Sequence, residues 1–571
     1  MNNKLVLSDF IVFGIYFVLL AAYGYFIYQR KRKKAASTHD FFLAEGSLTW
    51  WAIGASLIAS NISAEQFIGM SGDGFFVGTA VAAYEWVAAI TLIIIAIWFI
   101  PVYLKNKIYT MPQFLTTRYN ETVALIMAVF WLFLYVFVNL TSILYLGAVA
   151  INGLAGGGYL HLILIVLAIM GLIITLGGMK VIGYTDVLQV AVLIIGGFAT
   201  TYLALTKVSE SFGMGSDAIA GFKMLLKDAP DHFKMMLPKP SNETVSAALS
   251  GDSASQAYIN KYLLLPGITM YIAGQWIVNL NYWGCNQYIT QRALGADLKT
   301  ARTGILFAAF LKLMMPVIVM LPGIAAYVLH RNGGLEGFNG VKDTAYSSVL
   351  AFLPSGLKGL SVAALTAAIV ASLAGKLNSI STIFTLDIYK KYLQKEADET
   401  KQVWVGRVTV LAAMVLAIAF TWNDFLGIGG EGGFTFIQKY TGFISPGVFA
   451  MFFLGMFWKR TTGAAAVAGV LTGFLLAIFF NNYAVHLFGN ETILYTAFPN
   501  GKGGFDIPFM INMGWSFFFT LLVMISISLA GPKVNPKSFA LEKAMFRISP
   551  VHIALIAGII LVLTAIYVKL W

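Results

Sequence analysis

The chain has 571 residues, of which 58% are apolar and 11% charged, and its formal net charge is +12. This apolar excess is larger than a water-soluble domain can cover with polar surface, which excludes an ordinary soluble protein. The positive charge does not indicate a nucleic-acid-binding protein, because the basic residues fall in alternate loops rather than on one face.

Apolar segments long enough to cross a bilayer follow one another along the chain. A helix that crosses ~30 Å of hydrocarbon needs roughly 20 apolar residues, because no water is present to satisfy its backbone. About 14 segments meet this requirement. The sequence therefore predicts an all-α polytopic membrane protein, with residues 1–571 as one integral membrane domain. The predicted spans are 8–28, 49–71, 79–104, 122–152, 159–177, 184–206, 263–287, 304–329, 358–385, 403–427, 434–457, 461–481, 508–530 and 551–570.

Basic residues in alternate loops predict how the chain is oriented in the membrane. The first cluster, residues 30–34, comes directly after the first span, which is typical of an anchor and not of a cleaved signal peptide. By the positive-inside rule the basic loops are cytoplasmic, so both termini lie outside. The later clusters contain Lys105, Lys107, Arg292, Lys299, Arg302, Lys390, Lys391, Lys395, Lys459, Arg460, Lys533, Lys537, Lys543 and Arg547.

Two spans have polar and small residues at their centres. The second span contains ASNISAEQF from Ala59, and the seventh contains NLNYWGCNQ from Asn279. A displacement of five spans gives them opposite orientations, as expected if residues 49–206 and 263–457 form two inverted repeats that each begin with a broken helix. Unwound backbone at membrane depth must face a cavity, since lipid would leave its polar groups unpaired. We therefore expect a binding site between these two spans.

Motifs of nucleotide hydrolysis and acyl transfer are absent from the sequence. It contains no G-x-x-x-x-G-K-[ST] loop, no Cys/His set with metal-ligand spacing and no G-x-S-x-G motif. The single cysteine, Cys285, excludes an intramolecular disulfide. The sequence thus argues against a primary pump and against an enzyme.

Eight polar or aromatic motifs are spread along the chain. They are ASNISAEQFIGMSG from Ala59, YEW from Tyr84, YVFVNLTSILYLG from Tyr135, YTDVLQ from Tyr184, YWGCNQYITQR from Tyr282, FAAFLKL from Phe307, LNSISTIFTLDIY from Leu377 and IQKYTGFISPG from Ile437. In this order they resemble the sodium/solute symporter family, most strongly its bacterial sodium/galactose (sodium/glucose-type) branch. The resemblance implies a leucine-transporter-like core of five plus five helices. It also implies one extra helix (8–28) before the core and three (461–570) after it.

The resemblance implies a sugar site and two gates. Sugar hydroxyls would be bound by Gln66, Glu85, Asn279, Lys312 and Gln438, with Asn61 close by. Tyr282 matches the aromatic residue that covers the sugar on the cytoplasmic side, while Met70 and Phe434 match the outer lid. Ala88 departs from the family, because the galactose transporter has a serine there, so the preference among hexose epimers is open.

The chemistry of these residues suits a hexose independently of the resemblance. Hydroxyls that both donate and accept hydrogen bonds require carboxylates, amides and an amine, and an aromatic ring can stack on the C–H face of the sugar. A charge at membrane depth is costly, so Glu85 and Lys312 should pair with each other or face a wet cavity. The alternative is a purely structural ion pair. Asn139 and Asn286 are expected to form interhelical hydrogen bonds rather than to bind substrate.

The resemblance also implies a sodium site at the first helix break. Oxygen atoms suit a hard cation. The family has two adjacent hydroxyl residues where this chain has Ala371 and Ser372, so weaker sodium binding is expected. The implied sodium-binding positions are Ala59, Ile62, Ala368 and Ser372.

Asp186 and Lys376 lie on the implied path by which the ion leaves. The family has an acid at the position of Asp186 but an apolar residue at that of Lys376. Lys376 follows Ser372 by one helical turn, so its charge stands near the ion and a pair with Asp186 is geometrically feasible. The alternative is that Lys376 extends to the cytoplasmic surface.

These observations predict a secondary active transporter in the bacterial inner (plasma) membrane. It would import a galactose- or glucose-like hexose with a co-transported sodium ion by alternating access. A sodium-independent or proton-coupled sugar carrier, in which Lys376 replaces the ion, is an alternative. A sugar sensor that does not transport is another. The expected partners are a small sugar and the lipid bilayer, not nucleic acid, and self-association is left open.

Overall fold

The computed structural model describes residues 5–31, 48–63, 65–335, 338, 340–428 and 433–571, apart from the side chains of residues 30, 31, 343, 433–436 and 439. The side chains of the first basic cluster, residues 30–34, thus lie outside the described residues. Within the described part the secondary structure is almost entirely helical. Its one strand pair, Phe498–Pro499 with Phe505–Asp506, is antiparallel and two residues long.

The helices fall into long apolar helices and shorter ones. The long helices are Leu7–Lys31, Thr79–Lys105, Glu121–Leu154, Leu160–Leu176, Met179–Ser211, Leu298–Arg331, Leu357–Leu393, Glu399–Thr421, Ser445–Phe457, Gly463–Asn482, Phe509–Leu529 and Pro550–Leu570. The shorter ones are Trp50–Asn61, Glu65–Met70, Ser71–Phe76, Met111–Arg118, Ala218–Asp228, Pro230–Phe233, Asn242–Leu249, Ser253–Leu264, Gly267–Ile272, Gln275–Cys285, Gln287–Leu294, Lys342–Thr344, Ala345–Ala351, Gly433–Gly442, Ala484–Phe488 and Lys543–Phe546.

Eleven helices of the described residues are long and apolar enough to cross a membrane, or twelve if the bent pair Ser253–Ile272 and Gln275–Cys285 is one span. Leu160–Leu176, with 17 residues, is an apolar helix just outside that count. The predicted span 49–71 is also outside it, because its helix is interrupted. A polytopic all-α protein is thus confirmed, while the number of 14 crossings stays a prediction.

Both helices predicted to be broken are interrupted where the polar residues lie. Trp50–Asn61 ends at Ile62, whose backbone is extended (φ −78°, ψ 107°), and the chain resumes as the π-helix Glu65–Met70. Gln275–Cys285 ends at Asn286, also extended (φ −94°, ψ 130°), before Gln287–Leu294 begins. We call these the first and second broken helices. Each break leaves backbone groups without helical partners, which only a polar environment can satisfy.

The first broken helix packs at the centre of the bundle against Leu298–Arg331, Met179–Ser211 and Leu357–Leu393. Gly304 allows a close approach of Leu298–Arg331, since a Cβ atom there would lie 2.8 Å from the carbonyl oxygen of Trp50. Leu357–Leu393 is the most enclosed long helix, with 89% of its apolar stretch buried, whereas the first and last helices have 17% buried. Those two helices therefore present most of their apolar surface to lipid.

The basic loops gather at one end of the bundle. Lys105 pairs with Glu542 at 2.6 Å, and Arg302 donates to the carbonyl oxygens of Met545 and Arg547 at 2.8 Å each. We call this end the basic side. Asp9 of the first helix accepts hydrogen bonds from Gly356 and Gly359, and the Leu570 carbonyl at the end of the last helix accepts one from Met235. That both termini lie outside the cell stays a prediction.

Candidate functional site

A polar cavity lies between the two broken helices, enclosing about 910 Å³ of space between atoms, its open mouth included. Residues of four other helices also line it, namely those of Thr79–Lys105, Glu121–Leu154, Leu298–Arg331 and Leu357–Leu393. The structure brings all six predicted substrate-binding residues to its wall. These are Asn61, Gln66, Glu85, Asn279, Lys312 and Gln438.

Lys312 is at the centre of a buried polar network. Its ammonium group donates to the Glu85 carboxylate and to the Asn61 side-chain carbonyl, and it lies 5.2 Å from the ring centroid of Trp283. Asn61 in turn donates to the Tyr282 hydroxyl at 3.0 Å. The side chains of Lys312 and Glu85 are 1% and 4% exposed, so each charge depends on the other for compensation. The two charges form an ion pair and also face the cavity.

Three of the amides in the cavity lining, Gln66, Asn279 and Gln438, keep hydrogen-bonding groups free for a ligand. Gln66 Oε1 accepts from the N–H and hydroxyl of Ser63 at 3.0 and 3.1 Å, which ties it to the first break. Asn279 donates to the Gln275 carbonyl at 2.9 Å. Among the described residues, Gln66 Nε2, Asn279 Oδ1 and the Gln438 amide have no hydrogen-bond partner. These donors and acceptors suit a ligand that carries hydroxyl groups.

Aromatic side chains form one end of the cavity. Tyr282 packs edge-to-face on Trp283 and Tyr288, with ring centroids 5.2 and 5.7 Å apart. Tyr135 bridges the second break, because its hydroxyl donates to Asn286 Oδ1 and accepts from the Gln287 N–H. Asn286 thus makes the interhelical hydrogen bond expected of it, although it also lines the cavity. An aromatic surface of this kind can stack on the C–H face of a sugar.

The predicted sodium-binding positions meet where the first broken helix packs on Leu357–Leu393. The Ser372 hydroxyl lies 3.3 Å from the Ala59 carbonyl oxygen and 3.2 Å from that of Ser60 and donates to them. Ile62 and Ala368 are fully buried in the same core. Carbonyl and hydroxyl oxygens at the end of a helix form a donor set that suits a hard cation.

Asp186 pairs with Arg292 and not with Lys376. The Arg292 guanidinium donates to Asp186 at 3.2 Å, to the Tyr288 carbonyl at 3.1 Å and to the Ser56 carbonyl at 2.9 Å. It packs directly against Leu357–Leu393, since a Cβ on Gly375 would lie 2.8 Å from Arg292 Nη2. The planar fork of the arginine directs its N–H donors to these three acceptors at once. The Lys376–Asp186 pair considered from the sequence is therefore not formed.

Lys376 instead turns into the cavity. It is 2% exposed, and its ammonium group lies 4.7 Å from the ring centroid of Tyr288. The alternative in which it extends to the cytoplasmic surface is therefore not the arrangement found. Arg292 stands on the neighbouring face, so repulsion between like charges favours the turn toward the aromatic ring and away from Asp186.

The predicted outer lid is only partly described. Met70 is fully buried at the end of the π-helix Glu65–Met70, but it is not among the cavity-lining residues. The side chain of Phe434 lies outside the described residues. Met70 and Phe434 as gates thus stay predictions.

Sequence reasoning did not place Glu65, Asn139 and Tyr288 in the site, yet all three line the cavity. A carboxylate at membrane depth is a signal for Glu65, since such a charge is seldom without a function. Arg292 was counted with the loop residues but is buried. Its distance along the chain from Asp186 gave no sign of their pairing.

Two broken helices around a buried polar cavity, within a bundle of apolar helices, define a secondary transporter rather than an enzyme. The model of the sodium:solute symporter family matches residues 41–473, and the chain belongs to that family. It is therefore a sodium-coupled solute transporter, and sodium is the co-transported ion.

Curated proteins and solved structures are similar along most of the chain. A sodium/glucose cotransporter of Vibrio parahaemolyticus is 41% identical, covering 100% of this chain and 99% of its own. A mouse sodium/myo-inositol cotransporter 2 is 32% identical, covering 82% of this chain and 69% of its own. The substrate-bound outward-open structure of a Na⁺-coupled sialic acid symporter superposes with a TM-score of 0.74 at 18% identity, covering 93% and 99% of the two chains. This likeness shows that the fold is leucine-transporter-like.

Proposed function

We propose that this transporter imports a neutral hexose of the glucose or galactose type together with sodium. The observation that carries the proposal is the cavity, where six polar side chains predicted to bind a sugar face one space beside an aromatic wall. The charged residues described in its lining are two acids, Glu65 and Glu85, and two lysines, Lys312 and Lys376. Because these charges balance, the site favours a neutral polyhydroxylated solute over an ionic one. The name of the Vibrio relative, a sodium/glucose cotransporter, supports the same substrate.

The sugar hydroxyls exchange hydrogen bonds with the free amide groups of Gln66, Asn279 and Gln438. Glu85 and Lys312 hold their positions through each other and present a carboxylate oxygen and an ammonium N–H to the sugar. Tyr282 covers the sugar on the basic side, which we take as cytoplasmic. Movement of one repeat, 49–206, against the other, 263–457, would open the cavity to each side in turn.

Sodium is held by oxygen atoms at Ala59, Ile62, Ala368 and Ser372. In the described arrangement the Ser372 hydroxyl donates to the carbonyl oxygens at the first break. When the ion binds, that hydroxyl turns its hydrogen away so that its oxygen and the carbonyl oxygens all face the cation. Because the ion site and the sugar site share the first broken helix, filling one organises the other.

The experiment is uptake of labelled glucose and galactose into proteoliposomes, with and without an inward sodium gradient. Myo-inositol belongs in the panel because of the mouse relative. We expect sodium-dependent accumulation of a hexose. We also expect Gln438→Ala and Asn279→Ala each to lose most uptake while the protein still folds, because each loses a hydrogen bond worth about 1–3 kcal/mol in a dry site. Accumulation of myo-inositol alone would contradict a hexose as the substrate. Equal uptake without sodium would favour a uniporter, and binding without accumulation would favour a sensor.

A further inference from the structure

The cavity has two polar walls that belong to different helix pairs. Thr79–Lys105 and Leu298–Arg331 pack together and carry Glu85 and Lys312. On the other wall, Glu121–Leu154 packs on Leu357–Leu393, and these helices carry Asn139 and Lys376. The first broken helix contacts both walls, and we count its cavity-lining residue Glu65 with the second. The proposed sugar ligands Glu85 and Lys312 belong to the first wall, while the second has so far no assigned function.

The polar groups of the second wall lack partners. Glu65 is 8% exposed, and its Oε1 atom is buried without a hydrogen bond. Lys376 has an aromatic ring beside its ammonium group but no hydrogen-bond acceptor among the described residues. The described side chains of Glu65 and Lys376 form no ion pair, yet the two interact electrostatically. Buried charged groups are normally hydrogen-bonded, so this wall is incomplete without a further group.

We propose that Glu65 and Lys376 form a second hydroxyl-binding subsite of the same cavity, in which one substrate hydroxyl donates to Glu65 and accepts from Lys376. The inference rests on the proposed function and makes these two residues determinants of which sugar is bound. A hydroxyl is the smallest group that both donates and accepts, and therefore completes both residues at once. A carboxylate ligand would be repelled by Glu65, and an ammonium ligand by Lys376.

The two lysines of the cavity thus differ in what they lack. Lys312 already has two hydrogen-bond acceptors, Glu85 and Asn61, before a ligand arrives. Lys376 has none among the described residues. A hydroxyl therefore adds one contact to a satisfied group on the first wall, whereas on the second wall it supplies the partner that a buried charge needs. Removal of Lys376 should accordingly change the recognition of one particular hydroxyl.

The test pairs a residue change with a substrate change. Glucose and its monodeoxy derivatives, each lacking one hydroxyl, compete with labelled glucose for uptake into proteoliposomes at saturating sodium, so that any effect on the ion is excluded. Wild type is compared with Lys376→Met and Glu65→Gln. Lys358→Met, on the same helix but at the end opposite the basic side and outside this cavity, is the matched control.

We expect Lys376→Met to lower the apparent affinity for glucose about tenfold, because one charge-assisted hydrogen bond is lost. One monodeoxyglucose should bind wild type about as weakly as glucose binds Lys376→Met. Its affinity should not fall further in Lys376→Met, since both changes remove the same contact. Glu65→Gln should lower the apparent affinity for glucose less than Lys376→Met does, because the amide still accepts a hydrogen bond. Lys358→Met should behave as wild type.

Equal weakening of every derivative by Lys376→Met would assign the residue a structural role and overturn the subsite. Unchanged glucose affinity in both Lys376→Met and Glu65→Gln would overturn it as well, while the proposed function would stand. If wild type accumulates no hexose, the proposed function fails, and the subsite fails with it.

Discussion

The buried pair of Lys312 and Glu85 can be tested by removing one charge or both. Lys312→Met leaves Glu85 buried and unpaired, a loss of about 3–5 kcal/mol. We expect a lower melting temperature and no uptake in that variant. Lys312→Met combined with Glu85→Leu removes both charges and should recover thermal stability, since an apolar pair can replace a buried ion pair. It should not recover uptake, because no sugar ligand is restored. Recovered uptake in the double variant would show that the pair is only structural.

Tyr282 contributes both a ring and a hydroxyl to the cavity. Its hydroxyl accepts a hydrogen bond from Asn61, and its ring belongs to the aromatic end of the site. Tyr282→Phe keeps the ring and loses a hydrogen bond worth about 1 kcal/mol, so uptake should fall only several-fold. Tyr282→Ala removes the stacking surface and should lose most uptake. The two rates are compared at equal amounts of inserted protein, and similar rates in both variants and wild type would mean that Tyr282 is only packing.

Ala371 comes directly before Ser372, at a position where the family resemblance implies a hydroxyl. Ala371→Ser should add an oxygen ligand for sodium. The sodium concentration for half-maximal uptake should then fall about two- to tenfold, which corresponds to the free energy of one weak to moderate polar contact. Ala371→Cys is the matched control, because sulfur is similar in size to the added group but a poor ligand for a hard cation. A sodium requirement that falls equally in both variants, or in neither, would contradict this placement of the ion.

At the scale of elements, the segment Pro230–Phe233 is fastened to the helix Ser71–Phe76. His232 hydrogen-bonds the Phe75 carbonyl at 3.0 Å and stacks on Tyr327 at 3.9 Å between ring centroids. Gly78 makes this approach feasible, since it has φ +99° and a Cβ there would lie 2.3 Å from the His232 carbonyl oxygen. The segment thus holds the end of the first broken helix that is remote from the basic side.

Burial and the nearby charge of Lys261 lower the pKa of His232 to about 4, from an ordinary value near 6.5. Between those values the unfolded chain binds a proton that the folded chain does not, so stability falls as the pH drops from about 6.5 toward 4. The loss contributed by this residue reaches about 3 kcal/mol at pH 4. Thermal unfolding at a series of pH values should show it, and His232→Gln should flatten the dependence in that range. An unchanged pH profile in the variant would assign the effect to other groups.

At the scale of the whole molecule, the apolar spans and the two breaks could be predicted from the sequence because both are local. A run of apolar residues, or polar residues within such a run, identifies itself without knowledge of its neighbours. The pairing of Asp186 could not be predicted in this way. Lys376 was the partner considered from the sequence, whereas the packing of the second broken helix on Leu357–Leu393 brings Arg292 to the acid.

Several residues of the site could be predicted from the sequence, but the directions of their side chains could not. Glu85, Lys312 and the amides could be named because their residue types match the family pattern. Whether a side chain turns into the cavity or away from it depends on rotamers and neighbouring charges, which a motif does not record. Lys376 illustrates this, since its position on the helix was clear but its direction followed from Arg292 beside it.

The bond from Ser372 to the carbonyl oxygens of Ala59 and Ser60 has a thermodynamic consequence. Those carbonyls belong to the residues directly before Asn61, so ion and sugar act on the same few peptide units. If saturating sodium raises the affinity for glucose by some factor, saturating glucose must raise the affinity for sodium by the same factor. The reason is that the coupling free energy has one value in both directions. Calorimetric titration of each ligand in the presence and absence of the other would give both factors. Two unequal factors would mean that sodium and glucose do not bind with one-to-one stoichiometry.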